Sequence, residues 1–378
     1  MSAARKHPRG PSTEPLVVVC AGGGGVGKTT TSAALALSLA RSGRATLIVT
    51  IDPARRLAGA MGVPITDAVS RVPLASARGN LSALMPDPRR SLRTFVEHLF
   101  EHEPEGRARV LSNRLYAGLA DAAAGVHELV AMNLVAHAAA RGDFEVVVID
   151  TAPSRHAIDF VTYPERLAAL LSGRTVTWLS HLAARATEGA AAKPSGGILA
   201  WGANHVEGVI ARVTGPTLVG DTASLFGDLA LVRERFVSLT ERASRLLLGE
   251  RAAYALVAAP TAAARDDALY LASRLEALGR APRAIVMNRA DARPAPYLRA
   301  LREAAGVPES VLDAVNLLEH ESASRTAAAD ALCAELARRL KKTPQVRLPY
   351  IDASSPEATV AALSESLDAH IDAMLPGL

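Results

Sequence analysis

The chain has 378 residues, of which 49% are hydrophobic and only 4% aromatic, and its 42 basic and 38 acidic residues leave a formal charge of +4. This length accommodates one large α/β domain or two smaller ones, with a core built mainly from aliphatic side chains. The near balance of charges gives no sign of a nucleic-acid surface, so we expect no nucleic-acid partner.

Residues 1–14 are basic and rich in proline and small polar side chains. They lack the apolar segment of a secretory signal, and they predict a disordered tail. No apolar run approaches the ~20 residues needed to cross a bilayer, so we expect no intrinsic membrane anchor. The two cysteines, Cys20 and Cys333, are far apart in the sequence and indicate no disulfide framework. These features predict a cytoplasmic protein in a reducing compartment.

The next stretch joins an apolar strand to a glycine-rich loop and a helix. Residues 16–21 are rich in β-branched side chains and predict a strand buried on both faces. Four consecutive glycines follow, and a helix is predicted over 30–40. The spacing Gly-x-x-x-x-Gly-Lys-Thr, from Gly22 to Thr29, is that of a phosphate-binding loop between a strand and a helix.

Each part of this loop has a predicted task in holding a nucleotide. Backbone N–H groups and the positive end of the helix are expected to hold the α and β phosphates. Lys28 is expected to reach the β and γ phosphates, and the Thr29 hydroxyl to ligate Mg²⁺. The predicted nucleotide-binding residues of the loop are Gly22, Gly23, Gly24, Gly25, Val26, Gly27, Lys28, Thr29 and Thr30.

Two later strands lead into an aspartate at the edge where α/β sheets bind ligands. The strand over 45–50 is followed closely by Asp52, and the strand over 144–150 ends in Asp150. Asp150 has the form of a Walker B carboxylate, which orients Mg²⁺ or its water. Asp52 also suits the N-cap of a helix over 54–61, and its position alone does not separate capping from catalysis.

Two long intervals between strands are predicted to be helical. A weaker strand is predicted over 81–85, and the helical intervals cover about 89–141 and 165–250. Such intervals exceed a simple crossover and predict a helical subdomain inserted into a single domain over 15–378. Glycine and proline at 189–202 and 214–220 predict breaks in the second interval.

The last third of the chain predicts further alternation of strands and helices. Strands are predicted over 253–259, 283–288 and 345–350, with a helix over 264–278. Such alternation predicts an α/β fold with a doubly wound, mostly parallel sheet.

The predicted C-terminal helix has one apolar and one acidic face, and the acidic face favours docking on its own domain over a membrane surface. The apolar face consists of Val360, Leu363, Leu367, Ile371 and Met374, and the acidic face of Glu357, Glu365, Asp368 and Asp372.

The motifs in combination resemble one family. Gly22–Thr30, Ile51–Ala54, Asp150–His156 and the late Asn288 are similar to the ArsA/Get family of P-loop ATPases, which comprises arsenite-pump ATPases and tail-anchored-protein targeting factors. The likeness extends from about residue 15 to the end and is weakest in the helical parts. The resemblance implies a single ArsA-type domain of the deviant Walker A class that binds ATP with Mg²⁺ and hydrolyses it.

The resemblance also implies a role for individual residues. Asp52 falls where the family aspartate positions or activates the attacking water, and Asp150 falls where it acts through the magnesium shell. Asn288 matches the asparagine that recognises adenine, and the segment 349–352, with Pro349, resembles the one that lines the base. Family members work as dimers or pseudodimers around nucleotide, and ATP closure rearranges their helical parts. A chain with one P-loop would then need a partner.

One departure from the family pattern lies inside the loop. The family usually carries a lysine, which reaches the opposite phosphates of the dimer, where this chain has Gly23. Losing such a charge is expected to cost several kcal/mol of transition-state stabilisation. Either Arg55, Arg56 or Arg155 substitutes for it, or a lysine-bearing paralogue completes a heterodimer; ordinary surface arginines are the equally weighted alternative.

The cargo is not indicated by the sequence. Two distant cysteines do not make the thiolate trio of a metalloid site or a tetrahedral zinc clasp, and six methionines do not indicate a methionine-rich groove for apolar helices. The prediction is therefore an ATPase that handles an anion or a protein, membrane proteins included. The alternative is an ATP-binding adaptor or sensor with little turnover. Chromosome- or septum-positioning ATPases share the P-loop type but lack the long helical intervals.

Overall fold

The computed structural model describes residues 14–52, 56–73, 79–116, 133, 135–139, 141–152, 216–291, 296–351 and 353–375. The chain divides into two compact units. The first, which we call the sheet unit, comprises residues 1–86, 135–159 and 246–378. The second, the helical unit, comprises 87–134 and 160–245. The predicted tail, all but Glu14, lies outside the described residues, and the predicted bounds of the helical subdomain stay a prediction.

The sheet unit contains, within the described residues, eight strands in the order β3-β4-β2-β5-β1-β6-β7-β8. Neighbouring strands are parallel except β3 and β4, which are antiparallel. This confirms the predicted mostly parallel α/β sheet. The strands are β1 Leu16–Gly22, β2 Ala45–Thr50, β3 Ser70–Val72, β4 Asn80–Leu84, β5 Val146–Asp150, β6 Ala252–Ala258, β7 Ala284–Asp291 and β8 Gln345–Pro349.

The helices of the sheet unit follow the strands along the chain. Small side chains (alanine, serine and threonine) make up most of the buried face of the first helix, which allows it to pack close to the sheet. The helices of this unit are α1 Lys28–Arg41, α2 Arg56–Met61, α7 Ala262–Ala277, α8 Pro296–Glu303, α9 Glu309–Arg339, α10 Pro356–Asp368 and α11 Ile371–Met374.

The register of the central strands places the ends of β1, β2 and β5 at one level. Cys20 of β1 lies opposite Asp150 of β5, and Thr50 of β2 lies opposite the same aspartate. All five residues of β5 are buried, as expected for a strand with a neighbour on each side and helices over both faces. The carboxyl edge of the sheet therefore gathers polar side chains from several strands.

The helical unit packs large apolar side chains between its helices. Leu99 and Phe100 are fully buried, and the Phe95 and Phe236 rings meet edge to face with centroids 6.0 Å apart. Asp87 caps the first of these helices by accepting a hydrogen bond from the Arg90 N–H. The described helices here are α3 Pro88–Leu99, α4 Pro104–Ser112, α5 Pro216–Leu231 and α6 Arg233–Leu248.

Two sequence predictions are wrong in part, and three elements were not predicted. The predicted break at 214–220 does not hold for its described part, because α5 begins at Pro216, where a missing N–H costs nothing, and continues through residue 220. The C-terminal helix is two helices, separated at Ala369–His370, although its predicted apolar face is buried throughout. Strand β3 and helices α8 and α9 are absent from the prediction. The predicted break at 189–202 lies outside the described residues.

None of the helices in the described ranges combines the length and apolar character needed to span a bilayer. The acidic face of α10 is exposed, and Arg41 of α1 donates a hydrogen bond to Ser364 of α10 at 3.1 Å. Ser38 and Asp368 are also hydrogen bonded. The predicted docking of the C-terminal helix on its own domain is confirmed.

Candidate nucleotide-binding site

The glycine loop between β1 and α1 has a backbone that only glycine adopts readily. Gly25 has a φ of 75° and Gly27 a φ of 83°, and this left-handed region strains side chains with a Cβ. Gly27 directly precedes Lys28, the first residue of α1. The first N–H groups of the helix therefore follow the loop directly, as an anion site requires.

Lys28 is buried at the carboxyl edge of the sheet. Only 5% of its surface is exposed. Burial lowers the pKa of its ammonium group, and the nearby carboxylates of Asp150 and Asp52 act in the opposite direction. A buried cation at the start of a helix, next to the N–H groups of the loop, is suited to receive an anion.

Asp150 is fully buried and is surrounded by hydroxyl groups. Thr50 Oγ1 donates to its Oδ2 at 3.1 Å, and Ser32 Oγ lies 3.2 Å from its Oδ1. The Thr29 hydroxyl is also hydrogen bonded to this carboxylate. Burial raises the pKa of Asp150 to about 6, because these hydrogen bonds and Lys28 compensate only in part for lost hydration.

Asp52 lies next to this group through a shared hydroxyl. Its backbone N–H donates to Thr50 Oγ1 at 3.2 Å, and the same hydroxyl donates to Asp150. Asp52 Oδ2 is 3.3 Å from a guanidinium nitrogen of Arg56, a side chain that is 57% exposed. The predicted Asp52, Lys28, Thr29 and Asp150 thus belong to one edge. Capping by Asp52 is untested, because residues 53–55 lie outside the described residues.

Asn288 reaches the loop from the neighbouring part of the sheet. Its Nδ2 donates to the Val26 carbonyl at 2.9 Å, and its Oδ1 accepts from the Arg289 N–H at 3.0 Å. Arg289 has a φ of 56° at an irregularity of β7, which turns the strand at this point. One N–H and one lone pair of the amide remain available. Adenine recognition by Asn288 therefore stays a prediction that the geometry permits.

Comparison with known proteins finds similarity in the part of the chain that contains the glycine loop, Asp52 and Asp150. The model of the anion-transporting ATPase family matches residues 16–193. The ATPase get3 of Schizosaccharomyces japonicus is 32% identical over 157 residues, which cover 41% of this chain and 46% of that protein. The ATPase GET3 of Malassezia globosa is 32% identical over 155 residues, or 41% and 44% of the two chains. Residues 16–193 are therefore similar to the ArsA/Get family of P-loop ATPases. It spans less than half the length of the curated relatives it matches.

The family match covers only part of the predicted site, whereas the structure describes all of the predicted site residues. The match contains the loop, Asp52 and Asp150, whereas Asn288 and Pro349 lie beyond its end. Pro349 is the last residue of β8 and lies opposite Asp291 in the register with β7. The next residue, Tyr350, is half-exposed, and the Arg325 guanidinium lies 4.8 Å from its ring centroid. The role of Pro349 in lining a base stays a prediction.

The residues at this edge of the sheet suit Mg²⁺. The hydroxyl of Thr29 and the carboxylate of Asp150 are hard oxygen donors, which magnesium prefers. A buried carboxylate with a raised pKa also gains from a nearby cation. Among the described residues, at this edge and elsewhere, no group of three or more His, Cys, Asp or Glu is arranged to hold a metal, so Mg²⁺ would be held by fewer side chains together with the ligand.

Two hydroxyl groups of the site were missing from the prediction. Ser32 lies four residues after Lys28, so both are on one face of α1, and its Oγ is 2.9 Å from the Lys28 carbonyl oxygen. Thr50 ends β2 and lies opposite Asp150. Helical spacing and strand ends were the available signals. Arg55 and Arg155 lie outside the described residues, and both cysteines are buried thiols.

Proposed function

We propose that this chain is a Mg²⁺-dependent ATPase of the ArsA/Get type that hydrolyses ATP to ADP and phosphate. The observation that carries the proposal is the convergence of a buried lysine and a buried carboxylate, Lys28 and Asp150, at the end of the glycine loop. Burying both charges is costly, and a triphosphate with its cation would satisfy both.

The chain's own groups suggest a division of tasks. The backbone of the loop and the start of α1 would bind phosphate oxygens, and Lys28 would neutralise their charge. Thr29 and Asp150 would hold Mg²⁺, which supplies further positive charge at the phosphates. Asp52, buried beside them, would orient the attacking water and accept its proton.

Arg56 is our choice for the positive charge that position 23 does not supply. It is largely exposed and reaches Asp52, so the guanidinium lies beside the carboxylate that would face the attacking water. A guanidinium at that position can stabilise the negative charge that develops on the transferring phosphoryl group. Arg55 and Arg155, which lie outside the described residues, remain alternative hypotheses for the source of this positive charge.

We further propose that the chain acts in the cytoplasm as a homodimer or with a lysine-bearing paralogue. Closure of the dimer on ATP would drive the handling of an anion, a protein or a membrane protein. The description of the matching family, anion-transporting ATPase, supports the anion. The resemblance to tail-anchored-protein targeting factors supports the protein cargo.

Calorimetry with Mg-ATP and an assay of phosphate release test this proposal. Lys28→Ala is expected to weaken Mg-ATP binding by about 100-fold, because it removes charge-assisted hydrogen bonds to phosphate. Asp52→Asn is expected to slow phosphate release by about 100-fold with most of the binding retained. Asp372→Asn, an exposed aspartate in α11, is the matched control.

Two results would contradict the proposal in different ways. No heat of association between the wild type and Mg-ATP would exclude a nucleotide site. Binding without phosphate release, in the presence or absence of added partner proteins, would exclude the ATPase and indicate the adaptor or sensor.

A further inference from the structure

The glycine loop meets a different neighbour at each of three positions. A Cβ built on Gly22 would overlap the Val257 carbonyl oxygen of β6, and one built on Gly27 would overlap the Asn288 amide. A Cβ on Gly23 would overlap the carboxylate of Asp267 and would lie 3.2 Å from the Asp267 Cβ. Gly24 and Gly25 have open space where a side chain would be. Neighbouring atoms therefore pack against the loop at both of its ends and at Gly23, whereas the middle of the loop has open space beside it.

Asp267 reaches the loop because of where α7 begins. The helix follows β6 directly and is capped by Thr261, whose Oγ1 accepts from the Ala264 N–H at 3.2 Å. Ala264 and Ala268 on the same side of α7 are buried, so the helix packs close and Asp267 faces inward. Its neighbour Asp266 is exposed and pairs with Arg265.

We propose that Asp267 is a positioning residue of the phosphate-binding loop, holding Gly23 in place by occupying the space that a side chain at position 23 would need. This inference rests on the proposed nucleotide site. A run of four glycines has much backbone freedom to lose when it closes on phosphate. A side chain packed against the run removes part of that freedom before the ligand binds. The contact also gives a reason for glycine at position 23 in this chain.

Hydrogen exchange of the nucleotide-free protein tests the contact without using the ligand. Asp267→Ala is expected to speed amide exchange in the peptide that contains residues 22–27, while peptides from β5 and β6 keep the wild-type rate. Asp266→Ala is the matched control, since it removes an exposed carboxylate one residue away. Equal loop exchange in Asp267→Ala and Asp266→Ala would overturn the proposal.

Mg-ATP affinity then tests whether the contact positions the loop for its ligand. Asp267→Ala is expected to weaken binding about fivefold, and Asp267→Asn, which keeps the planar group, to recover most of that loss. Gly23→Ala displaces the carboxylate and is expected to cost about as much as Asp267→Ala. The double variant is then expected to bind no more weakly than either single variant, because both remove one contact.

Additive losses in the double variant would overturn the proposal, since the two residues would then act independently. No binding by the wild type would instead defeat the proposed function. The exchange experiment would still decide whether Asp267 holds the loop.

Discussion

The two units of this protein differ in how they bury charge. In the described part of the helical unit the buried carboxylate is Asp228, and Arg109 holds it with nitrogens at 2.6 and 2.9 Å from Oδ1. In the described part of the sheet unit the fully buried carboxylate is Asp150, which accepts hydrogen bonds mainly from hydroxyl groups. The pKa of Asp150 is raised by burial to about 6.

This difference separates a structural carboxylate from a candidate functional one. Arg109 donates to both carboxylate oxygens of Asp228, from Nη2 to Oδ1 at 2.6 Å and from Nε to Oδ2 at 3.2 Å, and such a bidentate pair stabilises the local packing. Asp150 bears a cost of burial that its protein neighbours do not offset, and such costs concentrate where a ligand compensates them. The groups around a buried aspartate therefore indicate whether its role is structural or functional.

The largest expected effect is a loss of stability in the helical unit that leaves Mg-ATP binding by the sheet unit almost unchanged. Phe100 is fully buried in the helical unit, so Phe100→Ala is expected to lower the free energy of unfolding of that unit by about 3 to 5 kcal/mol. Mg-ATP affinity is expected to stay within about twofold, because the predicted ligand contacts lie in the sheet unit. Urea unfolding and calorimetry measure the two quantities.

The control for that experiment is Leu231→Ala, at a side chain of the same unit that is 66% exposed. It is expected to change the unfolding free energy by less than about 0.5 kcal/mol. If Phe100→Ala abolished Mg-ATP binding at a temperature where the protein stays folded, the separation of the two units would be wrong.

The predictable part of the fold is the part in which one local pattern decides the structure. The buried strands β1, β2 and β5 are largely apolar runs rich in β-branched residues, and each is found where its run predicts it. Strand β3 has three residues at the edge of the sheet, which is too short for a pattern. Helix α9 has 31 residues but few buried ones, so no apolar face marks it in the sequence.

The same distinction applies to the site. The loop, Lys28 and Asp150 follow from spacing, because a strand, a glycine turn and a helix bring them together. Thr50 and Asp267 depend on which strands and helices become neighbours, and their residue types are also common on surfaces. Their roles become visible only when the register and the packing are known.

Substituting Asp150 and Asp228 sharpens the comparison, because the two substitutions are expected to change the stability in opposite directions. A carboxyl whose pKa is raised in the folded state contributes stability at low pH that is lost as the pH rises through about 6. At pH 7 the nucleotide-free Asp150→Asn variant is therefore expected to gain up to about 3 kcal/mol over the wild type. Asp228→Asn is expected to lose about 1 to 2 kcal/mol, because Arg109 loses its charged partner.

Urea unfolding at pH 7 and pH 4.5 measures both changes. The gain from Asp150→Asn should shrink at the lower pH, where the wild-type carboxyl is already mostly protonated. A loss of stability in Asp150→Asn at pH 7 would mean that the surrounding hydroxyls and Lys28 do satisfy the carboxylate, and the contrast with Asp228 would disappear.

The smallest expected effect is a pH dependence of ligand binding. A metal-binding carboxylate must be ionised, and the pKa of Asp150 is raised to about 6 by burial. Mg-ATP affinity is therefore expected to fall about tenfold between pH 7 and pH 5, as protons compete for the carboxylate. Asp150→Asn provides the matched control, because any remaining pH dependence in that variant comes from ATP itself or from other groups. Calorimetry across this range should show the wild-type affinity falling more steeply than that of the variant. Parallel profiles would mean that the Asp150 carboxylate is not the group that exchanges its proton for the cation.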